Sequence, residues 1–122
     1  MQRKNTHPKD LLRTMSEQLG LGYQPQDWGI INADGDRIDD FVAFFETREL
    51  RDCQRFQLAE LILASCNERL VDSGVLDEAR LLSIFRANMG AFAFHIEYWR
   101  GMTDAVEFPL GAMLRTHSFA VS

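Results

Sequence analysis

The stretch from Asp77 to Arg100, DEARLLSIFRANMGAFAFHIEYWR, constrains this chain more than any other. At 100° per residue, Leu81, Phe85, Phe92, Ile96 and Trp99 fall on one side of a helix. Leu82 and Met89 widen that side, and Ala87, Ala91, Phe94 and Tyr98 cover much of the other. A narrow strip through Ser83, Arg86, Gly90 and Glu97 stays polar or small. A helix apolar around most of its circumference has to be enclosed by other elements. The stretch is therefore expected to form one central helix, about 77–100, at the axis of an all-α domain. Gly90, between Ala87, Ala91 and Ala93, reads as a place where a neighbouring backbone comes close.

Start and stop signals divide the rest. Pro8 suits the first turn of a helix with Asn5 or Thr6 as its cap; Leu11, Leu12, Met15 and Leu19 form its stripe, and Gly20 and Gly22 end it. In YQPQDWGIIN, Pro25 and Gly29 forbid a continuous helix while Trp28, Ile30 and Ile31 need cover. This is an ordered connection with room for one short extended piece. Asp34 or Asp36 caps a second helix, with Asp39 and Asp40 in its first turn, Ile38, Phe41, Val42 and Phe45 at core spacing, and an end near Arg48. A third begins after Asp52, with Phe56, Ala59, Ile62, Leu63, Cys66 and Leu70 on its apolar arc, Gln57, Glu60, Asn67 and Glu68 on its wet side, and Gly74 as its stop. Asp77 then caps the central helix, GMTDAVEF is a loop, and Pro109 opens a short last helix with Leu110, Met113 and Leu114 facing inward. The expectation is a single helical domain over 1–122, a bundle of four main helices plus a short C-terminal one, with 1–6 and 118–122 frayed.

Its 122 residues are enough for a core without disulfides or metal. Cys53 and Cys66 fall on the third helix, where 1.5 Å per residue separates them by ~20 Å, too far to bridge. Cys66 reads as a buried thiol. No window approaches the ~18 uninterrupted apolar residues of a membrane helix, and MQRKNTHPKDLLRTM contains no apolar secretory core, so a cytoplasmic chain without membrane contact is expected. The net charge is −5; Arg3, Lys4, Lys9 and Arg13 against Asp10 make the first thirteen residues +3 and leave −8 on the remainder. Such a body does not neutralise phosphates, so no nucleic acid is expected, and a charged partner would be basic.

Chemical motifs are sparse. NADGDRID resembles part of a calcium loop, but with Gly35 at the sharp turn the first and twelfth ligand positions fall on Ile30 and Phe41, where carboxylates are required. A turn and helix cap rich in Asp accounts for every residue, and neither a metal nor a cofactor is expected. There is no H-E-x-x-H, no P-C-x-x-C, no G-x-S-x-G and no P-loop lysine. His95 and Glu97, two residues apart, do not converge on a helix.

Three readings follow. In the first, the chain is not an enzyme but a protein-binding module. Between Asp27 and Asp40 stand five Asp and one Arg, a local −4. Trp28, Asp34, Asp36, Asp39 and Asp40 would form an acidic surface with an aromatic anchor for a basic partner such as a toxin. In the second, Asn88, His95, Tyr98 and Trp99 wall a small-molecule pocket or active site. In the third, a core this aromatic leaves an apolar patch through which the chain forms a homodimer.

The order DW, AD..RIDDFVAFFE, RFQLAELILAS, FHIEYWR and FPLGAMLR resembles a group of small bacterial all-helical proteins, some of them similar to immunity proteins of toxin systems. The likeness spans about 27–115 through Trp28, Asp34, Arg37, Phe41, Phe56, Leu61, Ser65, His95, Tyr98, Trp99, Pro109 and Arg115. It implies a bacterial origin and a protein-binding role, with no catalytic signature; the first reading then takes the form of an immunity or inhibitor protein that occludes a basic partner with its acidic surface.

Overall fold

Local signals start and stop the helices as their chemistry dictates. In the computed structural model, which describes residues 7–119, α1 (Pro8–Leu19) opens on proline. Its cap is His7, whose Nδ1 accepts from the Lys9 N–H at 3.2 Å; the expected caps Asn5 and Thr6 lie outside the described residues, as do the ends 1–6 and 120–122. Gly20 closes α1 and Gly74 closes α4 (Asp52–Ser73), both in the left-handed conformation that glycine adopts without steric cost. A 3-10 turn (Gly35–Arg37), with the Asp34 carboxylate accepting from the Asp36 N–H, leads into α3 (Ile38–Thr47). Asp77 caps α5 (Glu78–Ala87), α6 covers Met89–Arg100, and Pro109 opens α7 (Pro109–Arg115). The connection before the 3-10 turn is not extended: Trp28–Ile31 coils into one helical turn, α2. Among the described residues there are seven α-helices and no strand, an all-α bundle.

The Asp77–Arg100 stretch is not one helix. It divides at Asn88, whose backbone leaves the helical region (φ −133°, ψ 43°). Asn88 Nδ2 donates to the Ile84 carbonyl at 2.8 Å, taking the acceptor that its own backbone N–H would use in a continuous helix. That N–H turns to Phe85 O instead, and the Asn88 carbonyl accepts from Ala91 and Phe92 to begin α6. Phe85 and Phe92 still meet across the break, with ring centroids 4.8 Å apart.

The axis of the bundle is α4. It packs against α1, α2, the 3-10 turn, α3, α6 and α7, and every residue from Leu61 to Asn67 is buried. Of its expected wet side Glu68 is exposed and Gln57 half-exposed, but Asn67 is buried and Glu60 half-buried, because several polar side chains of α4 hold backbone groups of its neighbours. Gln54 reaches Leu11 O, Glu60 accepts from Gly29 N, Ser65 Oγ accepts from Asp34 N, and Arg69 donates to Gly35 O. Asn67 joins two groups at once, its Oδ1 accepting from Leu110 N at 3.0 Å and its Nδ2 donating to Glu107 O at 3.2 Å. Each contact satisfies a polar group that burial would otherwise leave without water.

Close backbone approach occurs at other glycines than expected. A Cβ on Gly29 would lie 2.7 Å from Leu61 N, one on Gly35 2.8 Å from Arg69 N, and one on Gly111 2.5 Å from Trp99 O. Gly90, in contrast, is exposed and has nothing within 4 Å of such an atom. Of the tail expected to fray, Ser118 and Phe119 are docked: the Arg86 guanidinium donates to Ser118 O and lies over the Phe119 ring.

Candidate functional site

The acidic turn proves to be a structural joint with charge on its rim. Trp28, expected as its exposed anchor, is 1% exposed, and its Nε1 donates to Ser16 Oγ at 2.7 Å while that hydroxyl donates to Leu12 O. An indole with its N–H satisfied inside the α1–α4 packing offers no ring to a partner. Asp34 is half-buried as the cap of the 3-10 turn. Asp39 meets Arg80 at 2.8 Å and Asp40 meets Arg37 at 3.1 Å, so two of the four carboxylates stand beside cations. Asp36 and Asp39 border a shallow groove of about 340 Å³ whose other walls include Arg69, Asp77 and Arg80. The surface is mixed in charge, not uniformly acidic. Glu60 beneath it has its carboxyl pushed above the usual range by burial, opposed in part by the Gly29 N–H and reinforced by the nearby charge of Asp27.

Asn88, His95, Tyr98 and Trp99 do not converge on one pocket. His95 is 4% exposed; its Nε2 lies 2.9 Å from the Phe56 carbonyl and its ring 4.2 Å from the Phe56 ring. Burial holds its pKa below the ordinary value, with the Phe56 carbonyl acting in the opposite direction. This is an imidazole kept neutral to join α6 to α4. Asn88 faces Arg55, whose Nη2 donates to Asn88 Oδ1 at 2.9 Å, and Trp99 packs on Phe108. Tyr98 stands at the surface.

Cys66 is fully buried and its thiol is pushed up to about 12 by desolvation, while Cys53 is half-buried. No group of three or more His, Cys, Asp or Glu side chains is placed to hold a metal among the described residues. Nor is any helix there long and apolar enough to cross a membrane.

The feature that stands out is an aromatic ridge on α6. Phe94 is 67% exposed and Tyr98, one turn further on, 49%. Both point away from the stripe of Phe92, Ile96 and Trp99 that α6 buries. Phe56 of α4 leans on Phe94, with centroids 5.6 Å apart. Beside the ridge runs a groove of about 590 Å³ between α4 and α6, walled by Asp52, Cys53, Arg55, Phe56, Asn88 and Gly90. The sequence places Phe94 and Tyr98 opposite the main stripe of a helix expected to be enclosed, with Tyr98 also offered as a pocket wall. An apolar second face on a helix with a finite number of neighbours was the available sign.

No protein-family model matches the chain, and neither a curated protein nor a solved structure does. Trp28, Ser65, His95 and Arg115, four of the residues on which the likeness to small bacterial helical proteins was read, are joints of the fold. Trp28 bonds Ser16, Ser65 accepts from Asp34 N, His95 meets Phe56 O, and Arg115 Nη1 donates to Arg100 O and Met102 O.

Proposed function

We propose that the chain is a non-catalytic protein-binding module whose contact surface is the aromatic ridge of α6. The observation that carries this is the exposure of Phe94 and Tyr98, 67% and 49%, in register on one face of a helix that is otherwise firmly seated. Aromatic side chains supply large contact area at low conformational cost and are enriched among the residues that dominate binding energy. A polar rim is at hand in Asp52, Arg55, Gln57 and Glu97. An inhibitor that covers its partner's working surface, as the immunity-protein resemblance implies, would act through such a face.

The acidic turn ranks second as a docking surface because Trp28 is withdrawn and Asp39 and Asp40 already have arginine neighbours. The two faces separate in one experiment. Tagged chain is used to capture partners from its native host as wild type, as Phe94→Asp, and as the triple charge reversal Asp36→Lys, Asp39→Lys, Asp40→Lys. Loss of the captured protein in the Phe94 variant with retention in the triple variant supports the ridge. Retention in Phe94→Asp with loss in the triple variant returns the site to the acidic turn and a basic partner.

A further inference from the structure

The geometry points to a second copy of this chain as the occupant of the α6 ridge, packed antiparallel about a two-fold axis at Phe94. This rests on the proposed use of the ridge as a binding face and names what binds there.

A two-fold interface must be self-complementary, with each raised feature meeting a recess on the same surface. The ridge meets that condition by residue spacing. Gly90 and Tyr98 lie four residues to either side of Phe94, one turn each way. With α6 laid antiparallel on α6, Phe94 faces Phe94, and each Tyr98 comes level with Gly90 of the other copy. Gly90 is exposed, without a side chain, and has nothing within 4 Å of its missing Cβ, so it is the recess that a tyrosine ring requires. The adjoining groove, with the Phe56 ring in its wall, continues the recess toward α4.

Charge favours the same occupant. The whole chain is at −5, so two copies repel each other in most orientations. The ridge is flanked by Asp52 and Arg55 on the α4 side and by Glu97, Arg100 and Arg115 on the other, two acids and three bases, so this face lacks the acidic excess of the whole chain. A basic partner finds no acidic excess on this face, and a second copy meets less repulsion here than in most other orientations.

Area sets the strength. With about 200 Å² per covered aromatic side chain, the exposed fractions of Phe94 and Tyr98, 67% and 49%, supply on the order of 230 Å² per copy, against the ~800 Å² per partner of a standard interface. Phe56, Gln57 and the groove walls have to contribute the remainder, so the dimer forms and dissociates with concentration.

Analytical ultracentrifugation of the purified chain tests this. Wild type at ~100 μM should sediment toward 28.0 kDa, twice the chain mass of 14.0 kDa, and return to 14.0 kDa on dilution, with little dependence on salt. Phe94→Asp should remain at 14.0 kDa throughout. Gly90→Glu, which adds a carboxylate in the first turn of α6 where the helix dipole favours it, should weaken association at least tenfold. Circular dichroism should be that of wild type for both variants; Gly90→Glu, which replaces a helical glycine in open space, should melt no lower than wild type, and Phe94→Asp gives up only its edge contacts with the Phe56 and His95 rings. A wild-type chain at 14.0 kDa up to ~1 mM, or a Phe94→Asp chain that still dimerises, overturns the proposal. A monomer whose host partner is lost on Phe94→Asp overturns the second copy while the ridge stands as a binding face. A monomer whose captured partner is indifferent to Phe94 overturns both.

Discussion

Replacing Asn67 by alanine should destabilise the fold far more than an asparagine on the nominally wet side of a helix would suggest. Leu110 is the second residue of α7, and its N–H belongs to the first turn, where no intrahelical acceptor exists. Asn67 Oδ1 supplies that acceptor from α4, and Leu110 is completely buried, so water cannot take its place. An orphaned buried donor costs ~1–3 kcal/mol, and the lost Nδ2 bond to Glu107 O adds ~0.5–1.5 kcal/mol. The sum, about 2–4 kcal/mol, is a large share of the ~5–15 kcal/mol that holds a domain together. For a chain of this size each kcal/mol moves the melting temperature by ~4 °C, so a drop of about 8–16 °C is expected. Urea unfolding should show a lower midpoint at unchanged slope, and hydrogen exchange should accelerate first in α7. Asn67→Asp keeps an acceptor for Leu110 but loses the donor to Glu107 and buries a charge, so it should not rescue. A loss below ~0.5 kcal/mol at constant slope would refute the assignment of Asn67 as the anchor of α7.

Three further outcomes follow from burial and close approach. Gly111→Ala should cost at least ~1–3 kcal/mol because its Cβ would sit 2.5 Å from Trp99 O, whereas Gly90→Ala, in open space, should stabilise by ~0.5–1 kcal/mol; thermal melts of the pair check this. His95 has a folded-state pKa below its ordinary 6.5, so folding favours the neutral ring. The stability it lends is complete above 6.5 and falls as pH drops from there through the lowered value. Glu60 has the opposite sign, being raised from 4.5, and adds stability as pH falls through its raised value; the wild-type minus His95→Gln difference in urea midpoint, followed from pH 7 to 5, isolates the histidine. In a thiol titration at neutral pH, half-buried Cys53 should react promptly, while Cys66, at about 12 and enclosed, should react only at the rate of unfolding.

The features legible in the amino-acid order are local ones. Pro8, Pro109, Asp77, Gly20 and Gly74 act within a few residues of themselves, and the apolar periodicities of α1, α3 and α7 need no knowledge of their neighbours to be read. Those signals define the all-α class and most helix bounds. The tertiary structure decided which helix is central, because periodicity reports which side of a helix is apolar and not how many elements surround it. The apolar girth of Asp77–Arg100 suggested an axis, yet the Asn88 side chain, tied to Ile84 O and Arg55, breaks it in two and leaves Phe94 and Tyr98 facing outward. Glu60 and Asn67 of α4 suggested solvent, yet they, with Gln54, Ser65 and Arg69, meet backbone groups 31 to 43 residues away in sequence, partners that no local pattern encodes. Trp28 was legible as an aromatic needing cover, but its burial depended on Ser16 arriving from α1 to satisfy the indole. Trp28 is withdrawn while Phe94 and Tyr98 stand at the surface because exposure is what remains after all other elements have packed.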